Sequence, residues 1–389
     1  MRIGLLTPSV YMSLKKYQDM IFAPRDLARI LVDGLVKRGH DVYFFTTSDT
    51  KTNANIIAGD EDMILEDYIE EKMESAGSER FKWASFYSRK KNYEMDLTER
   101  CYKMAVNGKL DIIHSYHDTL AHYFNDLTGF PTIYTLHDPL PVKKTSINFW
   151  LLNKYFHHNY VSISNSFRRS ENLRLNFIDT VYHGIDIAKY KSVLTKKSYM
   201  AFIGRMVPEK GIDLAIETAK LANIPIKIAT SSMSENKNIP YYRDFVEPLL
   251  ENSLVSTTGF MGEDGKDEFL TNASCLLFPI QWEEPFGMVM IEAMACGTPV
   301  VAYNRGSVSE IVRDGVTGFV IDQDGEDRPG KESWIIKKKG VEGLVEAVKR
   351  IGQIDRKNCR RHIEENFSVE KMVQGYERVY QKILAKILI

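Results

Sequence analysis

The sequence has few cysteines and no long apolar run. The 389-residue chain has four cysteines, which are far apart and lack any C-x-x-C spacing: Cys101, Cys275, Cys296 and Cys359. This pattern argues against a disulfide framework or a structural metal, so we expect reduced thiols. No apolar run of about 18 residues is present, and the N-terminus leads directly into an apolar segment. We therefore expect neither a membrane span nor a signal peptide.

The sequence also lacks a net charge of either sign. Its formal net charge of −1 gives no support for nucleic acid as a partner. Hydrophobic residues make up 44% of the chain and charged residues 26%, as in soluble globular proteins. A chain of this length is too long for one core. We expect a cytoplasmic protein with two domains.

Short apolar segments alternate with helical patterns along the whole chain. The first half has predicted strands at 3–6, 42–46, 112–114, 132–134 and 160–163, with an amphipathic helix at 24–37. A second set has predicted strands at 199–203, 226–229, 276–279, 300–303 and 319–321. Strands separated by helices indicate parallel βαβ units. Ligands of such sheets bind beyond the carboxyl ends of the strands.

The most informative segment runs from Glu284 to Ala302. It reads EPFGMVMIEAMACGTPVVA and places seven residues between Glu284 and Glu292. A predicted helix follows the loop and ends at Gly297. The first N–H groups of a helix are unpaired and carry partial positive charge, so the amides of 287–289 can face an anion. The two carboxylates can hold hydroxyl groups of one elongated ligand, which is the geometry of a nucleotide-sugar site.

This segment resembles the donor site of family 4 retaining glycosyltransferases of the GT-B fold, of bacterial or archaeal type. A second match is the turn at 204–211, GRMVPEKG, which is similar to the Gly-Arg…Glu-Lys-Gly turn of that family. Further matches lie at 184–186 and 315–319. The resemblance implies an α/β fold with two Rossmann-like parallel-sheet domains facing a central cleft. It implies an acceptor domain at 1–187, a donor domain at 188–366 and a helix at 367–389 that packs back on the first domain.

The resemblance also implies roles for individual residues. Arg205 and Lys210 would hold the donor diphosphate and stabilise its growing negative charge in place of a divalent metal. Glu284 would bind the transferred sugar, and Glu292 the ribose hydroxyls. The backbone of Phe286, Gly287, Met288 and Val289 would lie near the sugar or phosphate. The nucleoside diphosphate sugar is then a co-substrate, and no cofactor or metal is expected.

The first domain departs from the family pattern at two places. Phe22-Ala23 replaces a Gly-Gly turn before the first helix, and Arg25 offers a side-chain contact in its place. The family's H-x-H loop corresponds to 114–118, HSYHD, with one extra residue. Either His117 or Tyr116 then faces the sugar, and we favour His117 as a catalytic residue. His114 is interpreted as a structural histidine, and His137 could line the same cleft.

Two further patterns have ordinary structural explanations. The spacing of Ser307 and Glu310 predicts a capping box at the start of a helix. The basic residues at 356–362 are interpreted as one face of a solvated helix, with weak peripheral contact to anionic lipid as the alternative.

Together these features predict a retaining, metal-independent hexosyltransferase that moves a hexose from a nucleoside diphosphate sugar, by default UDP-glucose, to an acceptor hydroxyl. The acceptor, which could be a sugar, a lipid-linked molecule or a small molecule, is not encoded in these motifs. Two alternatives stay open. One is a nucleotide-sugar epimerase or hydrolase of the same fold, and the other is a nonenzymatic nucleotide-sugar binding protein.

Overall fold

A computed structural model describes residues 1–14, 23–64, 79–116, 119–170, 172–191, 198–230, 239–259, 263–325 and 334–386. The chain divides into two compact units. The first comprises residues 1–163, 168–182 and 372–389, and the second comprises 164–167 and 183–371. The domain boundaries inferred from the sequence stay predictions. In the described part of the chain, no helix is both long and apolar enough to cross a lipid bilayer.

The first unit contains a seven-stranded sheet in which every neighbouring pair is parallel. Its strands are β1 (Arg2–Leu6), β2 (Asp41–Phe45), β3 (Asn55–Ile57), β4 (Ile112–Ser115), β5 (Thr132–Thr135), β6 (Asn159–Ser162) and β7 (Phe177–Thr180). The strand order is β3-β2-β1-β4-β5-β6-β7, so the direction of winding reverses between β1 and β4. The inner strands are nearly continuous runs of buried residues, as expected for a sheet covered on both faces.

The second unit contains a six-stranded parallel sheet of the same kind. Its strands are β8 (Tyr199–Ile203), β9 (Ile226–Ala229), β10 (Val255–Thr258), β11 (Ala273–Phe278), β12 (Val300–Tyr303) and β13 (Gly318–Ile321). The order is β10-β9-β8-β11-β12-β13, with parallel pairing throughout. The winding reverses between β8 and β11. That switch point is where open α/β sheets bind their ligands.

Helices connect the strands in both units. They are α1 (Ala23–Lys37), α2 (Glu79–Val106), α3 (Leu120–Thr128), α4 (Ile147–Lys154), α5 (Ile212–Ala222), α6 (Glu247–Leu250), α7 (Glu263–Thr271), α8 (Met288–Ala295), α9 (Val308–Ile311), α10 (Gly340–Arg350), α11 (Arg356–Asn366) and α12 (Val369–Ala385). Short 3-10 turns include Ser9–Met12, Glu61–Met63, Ser166–Arg168, Ile187–Lys189, Pro208–Lys210 and Ile351–Gln353, and Tyr242–Val246 forms a π turn.

The predicted α/β architecture with two parallel sheets is confirmed. The predicted strands at 199–203, 226–229 and 300–303 have the observed bounds of β8, β9 and β12. Three strands were missing from the prediction, namely β3, β7 and β10. The region after β2 contains the strand β3 and the helix α2.

The part of α12 that belongs to the first unit is held by a buried polar network. The hydroxyl of Tyr380 lies 2.8 Å from Nδ1 of His114, and the hydroxyl of Thr135 lies 3.1 Å from that of Tyr376. Nε2 of His114 lies 2.9 Å from the Thr135 hydroxyl, so both ring nitrogens are hydrogen-bonded. Burial holds the pKa of His114 well below its usual range. The interpretation of His114 as a structural histidine is confirmed.

Candidate donor site in the second unit

Three loops meet at the carboxyl ends of adjacent strands in the second unit. One loop follows β8 and covers 204–211, one follows β11 and covers 279–287, and one follows β12 and covers 304–307. The backbone N–H of Gln281 donates to the carbonyl of Glu209 at 2.8 Å, which joins the first two loops. The N–H of Ser307 donates to the carbonyl of Glu284 at 3.0 Å, which joins the second and third. The predicted donor residues therefore lie at the switch point of this sheet.

Close backbone approach explains two glycines in these loops. Gly211 has φ +67°, and a Cβ there would lie 2.1 Å from the carbonyl oxygen of Pro279. Gly306 has φ +57°, and a Cβ there would lie 2.1 Å from the carbonyl oxygen of Glu284. A side chain at either position would separate the loops, and the left-handed backbone conformation also favours glycine.

Glu284 is held by two donors from different loops. Its Oε2 lies 2.7 Å from Nζ of Lys210 and accepts a hydrogen bond from the indole N–H of Trp282 at 2.8 Å. The Lys210 ammonium also lies 5.1 Å from the centre of the Trp282 ring, within the range of a cation–π contact. The side chains of Lys210 and Glu284 are only 17% and 11% exposed. The structure therefore brings two of the predicted donor residues into direct contact.

Glu292 has a separate basic partner. It lies on the buried helix α8, and its Oε1 accepts a hydrogen bond from Nζ of Lys266 at 2.7 Å, while Oε2 lies 2.6 Å from the same nitrogen. The hydroxyl of Tyr190 donates to Oε1 at 3.4 Å. Lys266 and Tyr190 were not among the residues predicted from the sequence, because neither lies in a recognisable motif.

The remaining predicted residues of the second unit have different environments. Arg205 is exposed, directly after the loop residue Gly204. Phe286 is 2% exposed, and its ring packs edge-on against His183 with ring centres 4.8 Å apart. Gly287 is the residue before α8 and has φ +80°, and Met288 and Val289 form the first turn. Both residues are half-buried, and the first amides of a helix have no acceptor within it.

The capping-box prediction at Ser307 is wrong. Ser307 precedes α9, but its hydroxyl makes no capping hydrogen bond. It donates instead to the carbonyl of Phe286 at 2.7 Å. The carboxylate of Glu310 accepts from the backbone N–H groups of Asn165 and Ser166. Both side chains therefore bind backbone groups of other segments of the second unit instead of the first turn of α9.

The interpretation of the basic residues at 356–362 as a solvated face is also wrong for two of them, Arg356 and Arg360. The Arg356 guanidinium donates to the carbonyls of Ala273 and Thr271 at 3.0 and 3.3 Å, and burial lowers its pKa. Arg360 donates to the carbonyls of Tyr190 and Ala295. These arginines satisfy backbone acceptors inside the second unit.

The candidate residues of the first unit are less completely described. His117 and Phe22 lie outside the described residues. Tyr116, the alternative to His117, is 5% exposed and packs edge-on against His114, with ring centres 4.9 Å apart. His137 follows β5, and its ring centre lies 4.4 Å from that of Tyr116. Burial lowers the pKa of His137 to about 4, so its imidazole is neutral at pH 7.

Comparison with known proteins agrees with this geometry. Residues 186–328 match the family described as glycosyl transferases group 1. This segment contains Arg205, Lys210, Glu284 and Glu292, and it spans all the strands of the second sheet. The match and the relatives below support a GT-B glycosyltransferase.

Several curated relatives carry glycosyltransferase names. The uncharacterized glycosyltransferase MJ1178 of Methanocaldococcus jannaschii is 28% identical over 70% of this chain and 76% of its own length. The alpha-maltose-1-phosphate synthase of Mycobacterium tuberculosis is 26% identical over 68% of this chain and 78% of its own length. YtcC of Bacillus subtilis, whose name provisionally describes a glycosyltransferase, is 29% identical over 52% of this chain and 54% of its own length. The chain thus matches about half the length of YtcC.

Solved structures of GT-B glycosyltransferases share the fold. The sucrose-phosphate synthase of Thermosynechococcus elongatus superposes with a TM-score of 0.69 and 17% identity, covering 99% of this chain and all of the other. HepE of Anabaena, solved in complex with UDP and glucose, gives a TM-score of 0.61 and 16% identity, covering 98% of this chain and all of the other. The GT-B glycosyltransferase fold predicted from the sequence is confirmed by these similarities.

Proposed function

We propose that the protein is a retaining, metal-independent glycosyltransferase of family 4, which moves a hexose from a nucleoside diphosphate sugar to an acceptor hydroxyl. One observation carries the proposal. Glu284 and Glu292, separated by seven residues, are both buried, and each is ion-paired with a lysine. Buried charged carboxylates are costly unless they have partners, and such groups concentrate at functional sites.

Lys210 and Arg205 are proposed to bind the donor diphosphate. During transfer, the bond between the sugar C1 and the diphosphate oxygen breaks, and negative charge grows on the departing diphosphate. A fixed ammonium and a guanidinium near that charge stabilise the transition state more than the ground state. The acceptor hydroxyl oxygen forms the new bond to C1, and its proton passes to the departing phosphate.

Glu284 is proposed to accept a hydrogen bond from a hydroxyl of the transferred hexose, rather than to attack C1. Its Oε2 already accepts from Lys210 and Trp282, which lowers the electron density available for a nucleophilic attack. Its other oxygen stays available as a strong charged acceptor. Retention then follows from departure and attack on the same face, without a covalent glycosyl-enzyme intermediate.

Glu292 is proposed to bind the ribose hydroxyls of the donor nucleotide. Lys266 holds the carboxylate in place through an ion pair in the absence of ligand. UDP-glucose is the default donor. Support comes from HepE, which has the same fold and has been solved in complex with UDP-glucose. In the first unit, His117 is proposed to face the transferred sugar, with Tyr116 as the alternative.

The first test is ligand-dependent thermal stability. The purified protein, Arg205→Ala and Glu292→Ala are heated with millimolar UDP, GDP or ADP and with the common sugar conjugates of each. A ligand at 100 times its Kd stabilises the fold by about 2.7 kcal/mol, which gives a clear rise in Tm. We expect one nucleotide to stabilise the wild type and neither variant. Glu268→Ala, which removes an exposed carboxylate from the same unit, is the matched control.

Turnover then distinguishes transfer from the alternatives. The nucleotide that stabilises the protein is supplied as its sugar conjugate, with a panel of sugars, sugar phosphates and lipid-linked acceptors, in the presence of EDTA. A transferase releases nucleoside diphosphate only when the correct acceptor is added, and the new bond keeps the anomeric configuration of the donor. Release without an acceptor would indicate a hydrolase, and tight binding without any consumption would indicate a nonenzymatic binding protein.

A further inference from the structure

A cluster of metal-ligating side chains lies in the first unit and takes no part in the proposed reaction. Asp126 lies near the end of α3, and His157 and His158 directly precede β6. Their ligand atoms all lie within 4.8 Å of one another, and Oδ1 of Asp126 is 4.0 Å from Nε2 of each histidine. The cluster lines a cavity of about 340 Å³ that also contacts Asn125 and Pro131.

His158 is held rigidly at the inner side of the cluster. It is 6% exposed, and its ring stacks on Tyr155 and His122, with ring centres 5.0 and 5.1 Å apart. Nδ1 of His158 lies 2.9 Å from Nδ1 of His122. In this nitrogen–nitrogen hydrogen bond one ring donates and the other accepts. When His158 donates, its Nε2 has no proton and presents a lone pair toward Asp126.

That arrangement is the usual environment of a metal-binding histidine. Such a histidine nearly always donates its second ring N–H to another group, which fixes its tautomer and the orientation of the ring. In the tautomer in which His158 donates, His122 supplies the acceptor, and it is itself fixed by a stacked contact with Tyr134, with ring centres 3.9 Å apart. The first unit therefore offers both a candidate ligand and a buried group that can orient it.

The other two side chains can adjust to an ion. Zinc binds histidine nitrogen at about 2.0–2.1 Å and carboxylate oxygen at about 2.0–2.2 Å, so ligand atoms around one ion lie about 3.3 Å apart. The two Asp126–histidine separations of 4.0 Å must shorten by less than 1 Å, and the separations in the cluster, all within 4.8 Å, by no more than about 1.5 Å. The side chains of Asp126 and His157 are 52% and 56% exposed, so small rotations can achieve this. His158 would be a fixed ligand, and Asp126 and His157 would be adjustable ones. Three protein ligands leave a fourth position on the ion open.

We propose that Asp126, His157 and His158 bind a divalent transition-metal ion, with zinc as the expected physiological ion. Two imidazoles and one carboxylate suit zinc, cobalt, nickel or copper, whereas magnesium and calcium prefer oxygen ligands. The ion would join the end of α3 to the segment before β6 and stabilise this part of the first unit. The site is distinct from the donor residues of the second unit, so it is compatible with a metal-independent reaction. Cysteine spacing was the only ground for expecting no structural metal, and the proposal leaves the expectation of a metal-independent reaction unchanged.

The test uses the full-length protein without a histidine tag, after treatment with a chelator. Zinc chloride and cobalt chloride are titrated into the wild type, Asp126→Ala and His157→Ala, with heat and visible absorbance as readouts. All four cysteines are buried, which keeps them from competing for the ion. Asp96→Ala is the matched control, because it removes an exposed carboxylate of the first unit outside the cluster. The replaced side chains at 126 and 157 are more than half exposed, so both variants are expected to fold.

We expect one ion per chain, a cobalt absorption band typical of nitrogen ligands, and Kd values at least about tenfold higher in each cluster variant. The control should bind as tightly as the wild type. Zinc should also raise the Tm of the wild type and leave that of the double variant Asp126→Ala/His157→Ala unchanged. No saturable binding to the wild type, or equal Kd values in the wild type and the double variant, would overturn the proposal.

Discussion

Nζ of Lys210 lies 2.7 Å from Oε2 of Glu284, although the two residues are supplied by loops after different strands. The same oxygen accepts the indole N–H of Trp282. A buried ion pair is sensitive to loss of one partner, because the remaining charge is then uncompensated. Loss of this ion pair should therefore destabilise the loops and also displace two proposed donor-binding groups.

Replacing Lys210 should reduce both activity and stability. Lys210→Ala removes a cation that would face the departing diphosphate, and we expect kcat to fall by about 10²–10³-fold, the usual effect of losing one electrostatic stabiliser. It also leaves Glu284 without its ion-pair partner, which should lower the free energy of unfolding by about 1–3 kcal/mol. Initial-rate kinetics and urea denaturation measure the two effects.

A double variant separates the two roles of Lys210. In Lys210→Met/Glu284→Gln both charges are removed, so most of the lost stability should return while kcat stays low. Normal turnover by Lys210→Ala would contradict the assignment of Lys210 to the diphosphate.

Glu292 should recognise the ribose of the donor nucleotide. A hydrogen bond to a charged group contributes about 1.5–3 kcal/mol, so the wild type should bind UDP about 10–150-fold more tightly than 2′,3′-dideoxy-UDP. Glu292→Ala should bind both nucleotides with equally low affinity. Calorimetry with the two ligands measures this coupling directly.

Lys266→Met provides the matched control for Glu292. It removes the partner that lies 2.6 Å from Glu292 but leaves the carboxylate in place. The preference for UDP over the dideoxy analogue should persist in this variant. Loss of the preference in Lys266→Met, or its persistence in Glu292→Ala, would show that the ribose is bound elsewhere.

The strands that sequence patterns predicted and those they missed differ in one physical property. β8, β9 and β12 are inner strands of the second sheet, and burial made them apolar enough to recognise. The missed strands β3, β7 and β10 are all edge strands and contain no fully buried residue. These three edge strands are only partly covered, so they lack the apolar run on which the prediction depended, whereas the edge strand β13 is fully buried and was predicted.

The same contrast applies to the donor site. Local motifs predicted Glu284, Glu292 and Lys210, because Lys210 lies in a recognisable turn and the two glutamates lie in one recognisable loop–helix segment. The partners of these residues have no local signal. Lys266 reaches Glu292 from a different helix, and Gly306 is set by contact with Glu284. Such contacts depend on which loops become neighbours in the folded sheet, and a single sequence does not encode that locally.

Gly306 should be needed for the position of Glu284. In Gly306→Ala the added Cβ would lie 2.1 Å from the carbonyl oxygen of Glu284, so the loops at 283–287 and 304–307 must separate. We expect a loss of about 1–3 kcal/mol in the free energy of unfolding from this overpacking, in addition to the cost of the left-handed conformation. We also expect this variant to turn over the nucleotide sugar more slowly, as measured by initial rates at saturating donor.

Gly325→Ala isolates the cost of the left-handed backbone conformation from the cost of overpacking. Gly325 has φ +73° in the same unit, but an added Cβ meets no atom within 4 Å. This variant should lose about 1–2 kcal/mol and keep full activity. Equal losses of stability and activity in the two variants would show that the contact with Glu284 is unimportant.

Acid should destabilise the first unit through His114. Burial holds its pKa well below 6.5 in the folded protein, and His137 nearby lowers it further. An unfolded histidine binds a proton below about pH 6.5, so the unfolded state takes up more protons and the free energy of unfolding falls as the pH decreases. Between pH 7 and 5 this group should account for a loss of about 2 kcal/mol.

His114→Gln tests that assignment, because glutamine cannot be protonated but can still hydrogen-bond Tyr380 and Thr135. Urea denaturation at several pH values should show a loss between pH 7 and 5 that is smaller by about 2 kcal/mol than in the wild type. If the free energy of unfolding of His114→Gln depends on pH as strongly as that of the wild type, the acid sensitivity comes from other groups.

The basic residues at 356–362 should act through the interior of the second unit. Arg356→Met leaves the carbonyls of Ala273 and Thr271 without their donor, because the guanidinium that supplies it is removed. Each unsatisfied buried acceptor costs about 1–3 kcal/mol, so we expect the two carbonyls to account for a loss of about 2–6 kcal/mol in the free energy of unfolding. Lys357→Met removes an exposed neighbour of the same charge and should change stability by less than about 0.5 kcal/mol.

Co-sedimentation of both variants with anionic vesicles tests the lipid alternative. Reduced vesicle binding by Lys357→Met at unchanged stability would favour a membrane role for the exposed part of this helix.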